Sequence, residues 1–267
     1  MTNLTQDLRA LGVRPGDLVM LHASLRKLGL ARSQGVSEGS DLLLNAVEEA
    51  VGEAGTVLMV LGTDYPMDWI NLKPVEQRAA LLAGTPCFDF LNAPVLPEVG
   101  YLAEAFRRRP GTLVSQNPSG RFGARGRKAE ALLRDQPWND YYGPGSPLHR
   151  LCEWGGRILR LGAQPDTVTA LHYAEYVANM PVKSRTRWDY VIEGSEGPRH
   201  VWTECLNDSE GIASWDGDDY FAQILKEYLA TQPALCGRVG DAEAELLDAA
   251  HLVHFGAKWM ERHLTSR

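Results

Sequence analysis

Two side chains spaced for proton transfer stand out in the 267-residue chain, His172 and Glu175. They close the segment Leu161-Gly-Ala-Gln-Pro-Asp-Thr-Val-Thr-Ala-Leu-His-Tyr-Ala-Glu175, which reads as strand end, tight polar loop and helix. At a separation of three they are neighbours on one helix face. An imidazole with a carboxylate one turn away has the parts of a tuned general base. A half-buried structural histidine is the competing reading of the same residue. Asp166 is placed to serve as the N-cap of this helix. The apolar stripe Ala170, Leu171, Ala174, Val177 and Ala178 leaves His172 at its edge rather than its centre.

The elements that must position these groups follow from the apolar runs. Leu18–Leu21, Thr56–Leu61 and Arg157–Leu161 have strand length, and each feeds directly into polar residues: His22 and Ser24, then Asp64, then Asp166. In open α/β sheets ligands sit beyond the carboxyl ends of the strands. Were these three strands parallel neighbours, His22, Asp64 and His172 would converge on one crevice. Helical periodicity predicts helices over 4–11 (ended by Gly12), 40–51 (with Ser40 as cap), 102–108, 218–228 and 243–261. A short strand is expected over 112–114, and the aromatic, β-branched pattern of 186–205 predicts an antiparallel hairpin. Strands alternating with helices indicate an α/β protein whose sheet is covered on both faces. Residues 65–100 are irregular apart from a helical stretch over 74–83, the signature of a lid or binding loop. No linker or repeat interrupts the chain, so 1–267 is expected to form one domain carrying that insertion.

Composition narrows the function classes. Hydrophobic residues make up 44% and charged residues 23% of the chain, ordinary values for a globular protein. The net charge of −7 argues against nucleic acid and suits a cationic ligand. No apolar run approaches the roughly 18 residues that span a bilayer. The N-terminal stretch lacks the basic and apolar regions of a signal peptide, so a cytoplasmic location is the default expectation. Cys87, Cys152, Cys205 and Cys236 show no CxxC spacing and read as free thiols. The seven histidines show no ligand spacing, and no metal is expected. There is no HExxH, GxSxG, GxGxxG or P-loop. A hydrolase using Cys205 near His172 is left as an alternative without local support.

Taken in order, six blocks resemble the aminoglycoside N3-acetyltransferases, acetyl-CoA-dependent antibiotic-modifying enzymes that are not of the GNAT fold. They are Leu21-His-Ala-Ser-Leu-Arg-Lys-Leu-Gly29, Gly55-Thr-Val-Leu-Met59, Gly143-Pro-Gly-Ser-Pro147, the Leu161–Glu175 segment, Asp208-Ser-Glu-Gly-Ile212, and Leu247-Asp-Ala-Ala with Val253-His-Phe-Gly256. One stretch departs. The family commonly carries Arg-Ser-x-His-Pro followed by a serine; here Val114-Ser-Gln-Asn-Pro118 stands in its place, with Arg121 at the serine position. Asn117 cannot act as a base.

The resemblance implies a three-layer α/β/α fold with a central mixed sheet, the non-GNAT N3-acetyltransferase-like fold. It implies acetyl transfer from acetyl-CoA, without a metal, to the 3-amino group of the 2-deoxystreptamine ring of an aminoglycoside, conferring resistance. Transfer to a different small amine is the alternative on the same fold. His172 becomes the base with Glu175 orienting it, and His22 is the competing candidate. Ser24, Leu25 and Arg26 carry over as CoA contacts, their turn offering N–H groups to an oxyanion or to the CoA pyrophosphate, with Ser115 expected at a neighbouring strand end. Asp64, Asp89 and Asp208 are the carboxylates expected to meet the cationic substrate. No nucleic-acid or membrane partner is expected, and the assembly is expected to be a monomer or homodimer.

Overall fold

The computed structural model describes residues 3–33, 35–217 and 219–264. Along the chain, α1 (Leu4–Leu11), β1 (Leu18–Ala23), α2 (Leu30–Ser33), α3 (Val36–Val51) and β2 (Thr56–Val60) come first. The insertion holds α4 (Val75–Leu82) and two 3-10 turns, and leads to α5 (Tyr101–Arg108), β3 (Leu113–Val114), β4 (Phe122–Gly126), α6 (Ala129–Leu133), α7 (Pro147–Glu153) and β5 (Arg157–Leu161). Then follow α8 (Leu171–Val177), β6 (Arg185–Gly194), β7 (Gly197–Leu206), α9 (Tyr220–Thr231), β8 (Leu235–Val239), β9 (Ala242–Asp248) and α10 (Ala249–His263). No helix among the described residues is long and apolar enough to cross a membrane.

Seven strands form one mixed sheet in the order β3-β4-β2-β1-β5-β9-β8. At its centre β1 runs parallel to both β2 and β5, as the polar strand ends require, while the outer pairings are antiparallel. Side chains alternate across the sheet because strand periodicity is two. Leu18 and Met20 join the core beneath α6 to α10, and Val19 and Leu21 join the core beneath α1, α3 and α5. The result is the expected three layers. The β6–β7 hairpin stands apart as a two-stranded sheet, and its Tyr190, Val191 and Ile192 pack on Tyr65, Ile70, Leu82 and Phe88 of the insertion.

Several sequence expectations shift at element ends. Gly12 does end α1, in a left-handed conformation (φ 115°) that lets its N–H reach back to the last carbonyls. Ser40 is not a cap: α3 begins at Val36, and the buried Ser40 hydroxyl donates back to the Val36 carbonyl at 2.7 Å. The expected helix over 243–261 is β9 followed by α10. Ala242, Ala244 and Leu246 alternate into the α1/α3 core, and pairing with β5 overrides the helical propensity of Ala, Glu and Leu. Asp218, at the start of an expected helix, lies outside the described residues; α9 opens at Tyr220, capped by the Asp219 carboxylate.

Helix α10 fixes α8. Leu252, Val253, Ala257, Trp259 and Met260 share one core with Leu171 and Ala174. Gly256 lies at the crossing, where an added Cβ would come within 2.7 Å of a Leu171 methyl and 3.3 Å of the Ala174 Cβ. Gly256→Leu is expected to force α8 outward and cost about 1–3 kcal/mol, the usual range for overpacking, read as a lower urea unfolding midpoint.

Candidate active site

The turn before α8 is shaped by burial. Val168 and Ala170 are fully buried, so the chain folds inward through successive three-residue closures, Leu171 N to Val168 O and His172 N to Thr169 O. The helix starts at Leu171 with no side-chain cap. Asp166 is therefore not the N-cap; it is left on the rim of a cleft of about 310 Å³, which Glu175, His172, Asp208, Asp219, Tyr220 and Phe221 also line.

Within the cleft His172 Nδ1 lies 2.9 Å from Glu175 Oε2. The ring is stacked on Tyr142 (5.0 Å between centroids, 13° between planes) and meets the edge of Phe221 at 4.8 Å. Tyr220 donates its hydroxyl to the other carboxylate oxygen of Glu175. Glu175 is nearly fully enclosed, whereas the His172 side chain keeps 20% exposure. The Nδ1–H is committed to Glu175, which leaves the Nε2 lone pair as the basic nitrogen. Burial by itself would depress the imidazole pKa. The Glu175 carboxylate, by charge and hydrogen bond, outweighs it, and with Asp208 and Asp219 leaves the pKa above its ordinary 6.5.

Asp208 stands across the cleft, its carboxylate accepting from Tyr141 Oη at 2.7 Å and Trp188 Nε1 at 3.3 Å. The lining carries the carboxylates of Asp166, Glu175, Asp208, Glu210 and Asp219 and one imidazole, so it is built for a cation.

A larger channel of about 1,080 Å³ adjoins the cleft through Asp166, Trp215, Gly217 and Asp219, which line both. Its lining mixes the cationic side chains of Lys27, Arg160, Lys226 and Arg238 with the carboxylates of Asp166, Asp219, Asp241, Glu243 and Glu245. Lys27, Gly162, Gln164 and Asp241 then connect it to a third hollow of about 680 Å³ that reaches Ser24 and Arg26. At that end the chain turns directly after β1. The backbone N–H groups of Leu25 and Arg26 have no partner among the described residues, and the Leu25 side chain is buried in the core below. The two amides, with the Arg26 and Lys27 side chains beside them, offer donors to an anionic group such as the phosphates of CoA. His22 lies beside Arg160 in the β1–β5 register, and burial first, then that guanidinium, push its pKa down to about 3. It is neutral at any physiological pH and is a weaker base than His172.

Not every expected residue reaches this site. Asp64 and Asp89 line a separate pocket of about 270 Å³ in the insertion, which shares no lining residue with the His172 cleft. Asp89 already accepts from the backbone amides of Leu91 and Asn92 and from the Asn92 side chain. Ser115 follows β3 at the sheet edge, two strands removed from β1, and its hydroxyl accepts from Phe122 N. Cys205 is fully buried and donates to Tyr141 Oη, and burial holds its pKa well above the ordinary value, so it offers no nucleophilic thiolate. Asn117 is a structural knot, donating to Pro137 O and Trp138 O and accepting from Ser119 N and Gly120 N. Tyr142, Tyr220, Asp219 and Arg160 reach the site without a local motif. Asp219 alone had a signal, as a helix cap.

The chain has known counterparts. A family model described as aminoglycoside 3-N-acetyltransferase matches residues 20–261. Aminoglycoside N(3)-acetyltransferase VII of Streptomyces paromomycinus is 35% identical, over 98% of this chain and 92% of its own length. The solved structure of AAC-IIIb, a binary with CoASH, superposes with a TM-score of 0.89 at 34% identity, covering 99% of this chain and 97% of that one. AAC-VIa with sisomicin bound gives 0.85 at 37% identity, covering 97% of each chain.

The His172–Glu175 pair has a pH signature. A folded-state pKa above the unfolded value means that the pair's stabilisation is fully present below about pH 6.5 and is lost as pH rises through the folded value. Relative to His172→Gln, the wild type is expected to lose unfolding free energy in urea titrations as pH rises from about 6.5 through the folded-state value. Parallel pH profiles for the two proteins would contradict the pairing.

Proposed function

The chain belongs to the aminoglycoside 3-N-acetyltransferase family, and from that premise we propose that it transfers the acetyl group of acetyl-CoA to the 3-amino group of the 2-deoxystreptamine ring of an aminoglycoside, conferring resistance. The observation that carries this reading is the junction of an acidic cleft holding the His172–Glu175 pair with a long channel that leads to the backbone amides of Leu25 and Arg26 and the Arg26 and Lys27 side chains after β1. The first suits a polycation and the second an anionic thioester carrier.

His172 Nε2 takes the proton from the attacking amine. The nitrogen bonds to the thioester carbonyl carbon, the C–S bond breaks, and the proton passes on to the departing sulfur, giving the amide and CoA thiol. Glu175 keeps Nδ1–H oriented and balances the imidazolium in between, as a carboxylate does in a catalytic triad. An oriented base contributes roughly 10²–10⁴ in rate. The free amides of Leu25 and Arg26, with Ser24, are assigned to the CoA group. Asp208 is assigned to the substrate ammonium groups, and the distant Asp64 and Asp89 are left out of the first contact shell.

Thiol release from acetyl-CoA, measured against a panel of aminoglycosides, tests the reading, and mass spectrometry with NMR of the product locates the acetylated nitrogen. His172→Ala is expected to lower kcat by roughly 10²–10⁴ with CoA affinity near wild type. His22→Ala is expected to leave kcat much less affected. Retained kcat in His172→Ala would transfer the base role elsewhere. CoA binding without thiol release on any aminoglycoside would point to a different small amine.

A further inference from the structure

Two adjacent tyrosines that no motif singles out touch both halves of the site. Tyr141 and Tyr142 sit in the α6–α7 loop, almost wholly buried, their rings edge to face at 4.8 Å. Tyr142 lies flat against the His172 imidazole. Tyr141 donates to Asp208 Oδ2 at 2.7 Å, while its oxygen accepts from the buried Cys205 thiol at 2.9 Å. The loop that presents them is tied down on both sides. Gln136 Nε2 donates to Gly120 O and Tyr141 O, Asp140 N donates to Glu204 O, and the Tyr176 hydroxyl of α8 donates to Asp140.

We propose that Tyr141 and Tyr142 act as one bracket that positions the base and the substrate carboxylate together: Tyr142 favours the imidazolium of His172, and Tyr141 aims Asp208 into the cleft. The inference rests on the proposed acetyl transfer and deepens it. An aromatic face attracts a cation through its quadrupole, and the attraction grows where water is excluded. Tyr142 therefore stabilises the charged ring that proton abstraction produces, the state catalysis must favour. Asp208 has two oxygens with fixed donors, Tyr141 and Trp188, so its remaining lone pairs have a set direction. Both tyrosines are positioning residues, since each acts through a neighbour.

The groups that face His172 and set its titration come from three elements: Glu175 on its own helix, Tyr142 on the α6–α7 loop, and Asp219, Tyr220 and Phe221 at the start of α9, with Asp208 acting across the cleft. The experiment isolates Tyr142 from the rest. In ¹⁵N-histidine NMR, with the His172 signal assigned by its loss in His172→Gln, Tyr142→Leu is expected to lower the His172 pKa by roughly 0.5 to 1. Tyr142→Phe, which keeps the aromatic face, is expected to restore most of it, and Tyr141→Phe to leave it in place. In steady-state kinetics Tyr141→Phe is expected to raise the aminoglycoside KM by roughly 5- to 30-fold with kcat within about twofold. An unchanged His172 pKa in Tyr142→Leu, or a Tyr141→Phe enzyme whose KM stays put or whose kcat falls in step, overturns the bracket. Should the wild type turn over no aminoglycoside, the functional reading fails. The His172 titration, which needs no substrate, still decides the stacking half of the inference.

Discussion

The site depends on one buried charge. Glu175 is enclosed in the core formed by α8, α9 and α10, and a carboxylate in such a place is tolerated only when its lone pairs are met. Two side chains meet them, His172 from the same helix and Tyr220 from α9. The second contact joins α9 to α8, so the helix that bears the base is held by a hydrogen bond as well as by packing. Gly256 permits the close approach of α10 to Leu171 and Ala174 of that helix. The His172 ring is thus oriented by Glu175 within the protein itself, and the apolar helix contacts surround the polar pair.

How much of this the sequence disclosed depended on whether a feature was local. The parallel centre of the sheet was legible because Leu18–Leu21, Thr56–Leu61 and Arg157–Leu161 are mainly apolar runs of strand length feeding polar ends. The His172–Glu175 pair was legible because helical spacing is a local rule. Features set by distant partners were not. Ala242–Asp248 has helix-forming residues, yet its alternate side chains fill a core that β5 and α1 create, and its strand state is a tertiary outcome. Ser115 is near Ser24 only under a strand order that the chain does not adopt, because β4 and β2 intervene. Tyr142 reaches His172, and Tyr220 reaches Glu175, across long stretches of sequence, and no spacing rule connects them.

The stretch that departs from the family pattern acquires a structural meaning of its own. Arg121 is fully buried on the strand-facing side of the insertion, donating to the carbonyls of Ala93, Pro94 and Gly62. Burial pulls its pKa down to about 10, yet it remains a cation at neutral pH, and three carbonyl dipoles compensate it in place of a carboxylate. On the far side Asp189 is equally buried and accepts from Arg78, Arg187 and His200. The insertion is therefore clamped to the sheet through Arg121 and to the β6–β7 hairpin through Asp189. A segment so poor in periodicity holds its shape by satisfied charges rather than by regular hydrogen-bond ladders.

The same carboxylates that make the cleft attractive to a cation also act on the base. Asp208 and Asp219 act by charge to raise the pKa of His172, alongside Glu175. An ammonium seated beside Asp208 opposes that field, and an opposing charge lowers the imidazole pKa again. On the proposed roles of Asp208 and His172, substrate charge and the protonation of His172 are linked in both directions: a cation beside Asp208 favours the neutral form of His172, and the neutral form favours the cation. Glu175 is shielded from this exchange because its oxygens are already spent on Nδ1 and on Tyr220. The division of labour follows from burial. The enclosed carboxylate sets orientation, and the cleft-lining carboxylates set the charge to which the base responds.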